Sequence, residues 1–196
     1  MFGILKYLRD KARNRALKSK KRVSSGTFVN LQNVKTIGFL YNITSSEYKQ
    51  ELEEIIRILD RTGILYKGLA VESVNNLLPQ SENVDTLPDE VQWLNNNSIT
   101  LIENIYVTKI GTTECDKKDL FLKEEFDLFI SFDNADSFTM EYIVRDIKAK
   151  CIVGMHSYKN SAYTIVFEGE NKSTLSYSEY LVQIFHYLSV IKSGKI

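Results

Sequence analysis

Apolar positions along this chain fall into two patterns: short continuous runs of strand length, and longer stripes at helical spacing. Residues 35–41 (KTIGFLY) form the first continuous run, as expected for a strand covered on both faces. Tyr48, Leu52, Ile55, Ile56 and Leu59 follow at i, i+4, i+7, i+8 and i+11, which is one face of a helix. Thr44 and Glu47 have capping-box spacing at its start, and Gly63 is placed to end it in the left-handed conformation. Residues 64–72 (ILYKGLAVE) then resume as a strand. Strand, helix and strand with short joints make a βαβ unit with a right-handed crossover.

The alternation continues downstream. Residues 73–98 are the least regular stretch, a long loop holding one short helix. Pro88 opens that helix, Asp89 and Glu90 occupy its first turn, and Val91 and Leu94 give it an apolar side. Residues 99–110 are β-branched and aromatic enough for a strand, and 117–125 read as a short helix or turn. Residues 127–132 (DLFISF) form a buried strand. Ser137 caps the helix that follows, which turns Met140, Ile143, Val144 and Ile147 inward. Residues 151–155 are the next strand, and 163–167 a further one, expected at the edge and antiparallel. A Ser176–Glu179 capping box starts the last helix, whose apolar face is Tyr177, Tyr180, Leu181, Ile184, Phe185, Leu188 and Ile191. Together these elements predict an α/β fold over residues 26–196: one three-layer, Rossmann-like domain with a mostly parallel sheet of five to six strands.

Ahead of it, residues 3–22 predict a helix of another kind. Ile4, Leu5, Leu8, Ala12 and Ala16 fall on one side, but the stripe is greasy only in its first two turns. Ser24-Ser25-Gly26 breaks the helix, so residues 1–25 read as an arm and linker. Charge changes the picture here. The whole chain has 25 basic and 25 acidic residues, yet nine of the basic ones (Lys6, Arg9, Lys11, Arg13, Arg15, Lys18, Lys20, Lys21 and Arg22) precede residue 23, against Asp10 alone. A basic arm therefore sits on a body with an excess of acid. The charge points to an anionic partner: a membrane surface with Phe2, Ile4, Leu5 and Leu8 dipping in, the phosphates of RNA or DNA, or an acidic protein face, including this body or a second copy.

Composition narrows the class. At 43% hydrophobic with two Pro and nine Gly, the chain is neither collagen-like nor wholly disordered. Two Cys are too few for a disulfide scaffold, and no apolar run is long enough to span a bilayer. A cytoplasmic protein, peripheral on the membrane in one reading, is the expectation.

In a doubly wound sheet, ligands sit beyond the carboxyl ends of the strands where the winding reverses. With the strand order 3-2-1-4-5, the loops after the first and fourth strands face each other there. The first offers Asn42, Thr44, Ser45 and Ser46, and the second Asp133, Asn134, Asp136 and Ser137. Both sets are the residue types that helix caps need, so capping competes with binding a nucleotide or phosphorylated metabolite. Asp133 and Asp136 have the chemistry to share Mg²⁺ with a substrate phosphate, and His156 to reach the same crevice as an acid or base. Neither a dinucleotide fingerprint nor a P-loop is present, so no motif names a cofactor. Cys151, in an apolar strand, reads as an inert core thiol. Cys115, between Glu114 and Asp116, lacks the positive surroundings that activate a thiolate. His186 lies on the last helix and reads as packing or surface.

The basic helix, then TIGFLYN, then FDLFISFDNADSFTMEYIVRDIKAKCIVGMH, resembles a family of small α/β proteins of unknown function from Bacteroidetes-type bacteria. In that family the fourth strand commonly reads D-L-L-I-D-L, and Ser131 stands here where its second Asp is common. The same segment is distantly similar to the N-terminal half of heptosyltransferases, which implies a Rossmann-like fold. Those enzymes carry a Gly-Asp pair after the first strand, where this chain has Asn42-Ile43-Thr44, and a second nucleotide-sugar domain for which no residues remain. The functional expectation is a non-catalytic binding or adaptor domain docked through its basic helix. The alternative is a small-ligand enzyme or sensor at the crevice.

Overall fold

The computed structural model describes residues 2–20, 23–43, 47–72, 88–103, 106–108, 111–133, 137–155, 162–167, 175–191 and 194–195. In chain order its elements are α1 (Phe2–Ser19), β1 (Thr27–Phe28), a 3-10 turn (Leu31–Asn33), β2 (Thr36–Ile43), α2 (Tyr48–Thr62), β3 (Leu65–Glu72), α3 (Pro88–Asn96), β4 (Ile99–Ile102), α4 (Asp116–Phe121), β5 (Glu125–Phe132), α5 (Phe138–Val144), β6 (Lys148–Gly154), β7 (Ile165–Val166), α6 (Tyr177–Val190) and β8 (Gly194–Lys195). The six strands β2 to β7 form one sheet in the order β4-β3-β2-β5-β6-β7, with every neighbouring pair parallel. The winding reverses between β2 and β5, as the predicted strand order requires.

Side-chain alternation divides the core into two layers. Ile37, Phe39 and Tyr41 of β2 and Leu128, Ile130 and Phe132 of β5 face α2, α3 and α6. Leu40 of β2 and Phe129 of β5 face α4 and α5. Both faces of the central strands are thus buried, which is why their sequences are unbroken apolar runs rather than alternating ones. The helices over the first face deliver the residues their spacing predicted, with Leu52, Ile55 and Leu59 of α2 and Leu181, Ile184 and Leu188 of α6 fully buried. Each such aliphatic side chain contributes roughly 1.5–3 kcal/mol on burial.

Local signals set most boundaries. Gly63 closes α2 at φ 67°, and Ser137 Oγ accepts from the Met140 N–H at the start of α5. Ser176 and Glu179 form the reciprocal capping box of α6. Three expectations need correction. The helix after β2 begins at Tyr48 with Glu47 at the cap position and no side-chain cap bond, so the Thr44–Glu47 box does not set its start; Thr44 lies outside the described residues. The strand expected over residues 99–110 stops at Ile102. Beyond it Tyr106 turns, and Val107 bridges back to Thr113 around Gly111, which takes φ 93°. The edge strand is two residues long and parallel to β6, not antiparallel. Tyr163 lays its ring over Gly154, and the Thr164 N–H donates to the Ile152 carbonyl at 2.7 Å as the chain joins β6.

The N-terminal helix ends at Ser19, and Lys21 and Arg22 lie outside the described residues. The chain after it is tied to the body. Ser25 donates its N–H to the Ala149 carbonyl at 3.2 Å and its hydroxyl to the Lys150 carbonyl at 3.1 Å, and β1 pairs antiparallel with β8.

Candidate functional site

The basic residues of α1 divide into two stripes, and the division follows helical spacing. Arg9, Arg13 and Lys20 stand at i, i+4 and i+11, a side shared with the half-buried Ala12, Ala16 and Leu17. This side packs on α5. The Arg13 guanidinium lies 5.0 Å from the centroid of the Phe138 ring, and the Lys20 ammonium lies 3.3 Å from that of Tyr142. Lys20 also donates to the Tyr142 carbonyl at 3.1 Å and forms an ion pair with Asp146. Arg9 is half-buried, and its Nε has no hydrogen-bond partner among the described residues. Burial pushes the pKa of Lys20 down even with Asp146 opposing the shift, and burial followed by the neighbouring Arg9 lowers Arg13.

The second stripe faces solvent. Lys11, Arg15 and Lys18, at i, i+4 and i+7, are all exposed, as is Lys6 nearer the helix start. Tyr7 and Leu8 share the side of Lys11, Arg15 and Lys18 and are 64% and 54% exposed. From Tyr7 to Lys18 these five residues occupy an arc of roughly 100° on the helical wheel. With Asp10 and Asn14 beside them, Tyr7, Lys11, Arg15 and Lys18 line one continuous strip of surface. The side chains of Ile4 and Leu5 lie outside the described ones.

Sequence reading singled out the cations but missed their receiver. Phe138, Tyr142 and Asp146 stand at i, i+4 and i+8, opposite a core face made by Met140, Ile143, Val144 and Ile147. Two aromatics and a carboxylate at that spacing, on the side of a helix that faces away from the sheet, are the signal that a cationic partner covers them.

At the carboxyl end of the sheet the register sets Asn42 beside Asp133, because their neighbours Tyr41 and Phe132 are paired. Both are buried, at 2% and 1% exposure. Asp133 Oδ2 accepts from the Ser137 N–H at 3.0 Å, which is a capping role at the start of α5. Ser131, two residues earlier on the same face, is fully buried, and its hydroxyl has no hydrogen-bond partner among the described residues. Thr44, Ser45, Asn134, Asp136 and His156 lie outside the described residues, so of the predicted crevice the structure brings together Asn42 and Asp133.

Other chemistry is quiet among the described residues. Cys151 is fully buried in the core, and Cys115 caps α4 by accepting the Lys118 N–H on Sγ. His186 is exposed on α6. No group of three His, Cys, Asp or Glu side chains among the described residues is placed to hold a metal, and no described helix is long and apolar enough to cross a membrane. Glu141 and Arg145 form a buried i, i+4 ion pair at 2.6 Å, each at 10% side-chain exposure or less, whose role is structural.

A family model described as a family of unknown function (DUF6913) matches residues 6–191, which takes in most of α1 and the whole sheet. No curated protein matches the chain, and no solved structure does.

Proposed function

The chain belongs to this family of unknown function, and we propose that it is a non-catalytic binding or adaptor module that docks on an anionic partner through α1. Residues 1–25 act as the arm and linker, and residues 26–196 as the body that the arm carries to its partner. One observation carries this reading: the cations of α1 are shared between two opposite sides, and among the described residues only one side packs on the body. Arg13 and Lys20 are held over the rings of Phe138 and Tyr142, whereas Lys11, Arg15 and Lys18 point to solvent on the other side. Like charges at i, i+4 destabilise a helix by a few tenths of a kcal/mol, and Lys11 and Arg15 are such a pair. An anionic surface turns that repulsion into attraction.

The test is retention of the full chain on a polyanion matrix such as heparin across a salt gradient. The wild type is retained, and Lys11→Gln/Arg15→Gln/Lys18→Gln elutes at distinctly lower salt with an unchanged unfolding midpoint. Equal elution of the two proteins would remove the outward stripe from the function.

A second reading, a small-ligand enzyme or sensor at the carboxyl end of the sheet, is favoured by the buried Ser131 hydroxyl, which has no hydrogen-bond partner among the described residues, on the face shared with Asn42 and Asp133. A polar ligand or water there would satisfy it. A thermal-shift screen of the full chain against nucleotides, nucleotide sugars and phosphorylated metabolites tests this reading. A ligand at a hundred times its Kd adds about 2.7 kcal/mol to the folded state. A silent panel counts against it.

A further inference from the structure

We infer that the anionic partner of α1 is a phospholipid bilayer carrying acidic headgroups, met by the outward stripe with Tyr7 and Leu8 entering the interface. This inference rests on the docking role proposed above and names its partner. The first argument is the composition of the exposed strip. Three cations alone would suit any polyanion. Tyr7 and Leu8, more than half exposed and one turn ahead of Lys11, give the strip an apolar end as well. A duplex nucleic acid presents phosphates to the cations and offers nothing apolar to Leu8. A lipid interface takes both, with basic side chains at the headgroups and aromatic and aliphatic side chains at the acyl boundary.

Placement is the second argument. With Arg13 and Lys20 on its opposite side seated on α5, the second half of α1 lies against the body, and its outward strip from Tyr7 to Lys18 runs about 17 Å. A helix held there by its inner side presents that strip to a flat surface. Lys11 and Lys18 are about 10 Å apart along the axis, a span that reaches more than one headgroup. The third argument is charge complementarity across the whole molecule. Beyond residue 22 the chain holds sixteen basic and twenty-four acidic residues, so an anionic bilayer repels the body and attracts the arm. The molecule therefore meets the surface in one orientation, arm first.

The experiment is co-flotation of the full chain with vesicles of equimolar phosphatidylcholine and phosphatidylserine, with pure phosphatidylcholine vesicles, a duplex RNA and heparin as parallel arms. The wild type floats with the acidic vesicles and not with the neutral ones. Lys11→Gln/Arg15→Gln/Lys18→Gln loses roughly a hundredfold in partitioning, from about a fivefold loss for each of the three basic residues near the surface. Tyr7→Ser/Leu8→Ser loses about tenfold on acidic vesicles while its heparin retention stays that of the wild type. Both variants change exposed positions, and circular dichroism confirms their helix content. Wild-type flotation by Tyr7→Ser/Leu8→Ser overturns the inference. So does binding of RNA or heparin without binding of acidic vesicles, which leaves the docking role standing with another partner. Failure to bind vesicles, RNA and heparin alike overturns both.

Discussion

Replacing Lys20 by Met removes the charge that holds the arm to the body and keeps the aliphatic stem. Lys20 retains 14% side-chain exposure; its ammonium sits over Tyr142, donates to the Tyr142 carbonyl at 3.1 Å and pairs with Asp146. A hydrogen bond to a charged group contributes about 1.5–3 kcal/mol, and a cation over an aromatic ring roughly 0.5–2 kcal/mol. Against these stands the desolvation of the ammonium, the strongest influence on Lys20 and the reason its pKa falls. Asp146 keeps 30% exposure, so water reaches the carboxylate once its partner is gone. The net loss expected is about 1–2 kcal/mol, because stem packing survives and Asp146 is not stranded. In urea unfolding this moves the midpoint down by on the order of half a molar, for a slope of about 2–3 kcal/mol per molar. Hydrogen exchange of the α1 amides should speed up about 5- to 30-fold while β2 and β5 keep their relative protection. Asp146→Asn closes a double-mutant cycle with Lys20→Met, and the two losses should be less than additive. An unchanged midpoint with unchanged α1 exchange would show that these contacts do not hold the arm.

Three other substitutions probe the frame that presents the arm. Gly68→Ala places a Cβ 2.3 Å from the buried Phe39 ring, which has nowhere to go; a loss of about 1–3 kcal/mol in chemical unfolding is expected. Ser176→Ala removes the acceptor of the Glu179 N–H, 3.2 Å away, and half of the α6 capping box, costing about 1 kcal/mol in the same assay. Asp127 is subject first to burial, which alone would raise its pKa. The hydrogen bond from Lys150 and those from the Lys35 and Thr36 N–H groups outweigh burial and hold it below 3.8. A carboxylate depressed in the folded state adds stability that is present above its unfolded pKa and drains away as pH falls through the folded one. Asp127→Asn should therefore be less stable than the wild type near neutrality, with the gap closing below about pH 4 in urea midpoints measured across the acid range.

Much of the sheet is legible in the sequence because its signals are local. KTIGFLY and DLFISF are buried on both faces, and their unbroken apolar character announces central parallel strands. Gly63, Ser137 and Ser176 mark helix ends through their own backbone or hydroxyl chemistry. The misreadings occur where a distant contact decides. Residues 163–167 carry strand-like side chains, but only Ile165 and Val166 pair with β6, in parallel, and the Tyr163 ring lies over Gly154 instead. The candidate site shows the same limit. The arm's charge is plain in composition, yet which cations are free depends on Phe138, Tyr142 and Asp146, more than a hundred residues away. The sequence suggests Asn42 and Asp133 as crevice residues; the register does bring them together, but buried, with Asp133 capping α5.

Lysine footprinting by amine acylation and mass spectrometry, on the full chain with and without acidic phosphatidylserine vesicles, tests the two-sided arm most directly. The account predicts that free protein labels fast at Lys11 and Lys18 and slowly at Lys20, and that vesicles protect Lys11 and Lys18 while leaving Lys20 as it was. Labelling of Lys20 as fast as Lys11, or vesicles that leave Lys11 and Lys18 unprotected, would contradict it.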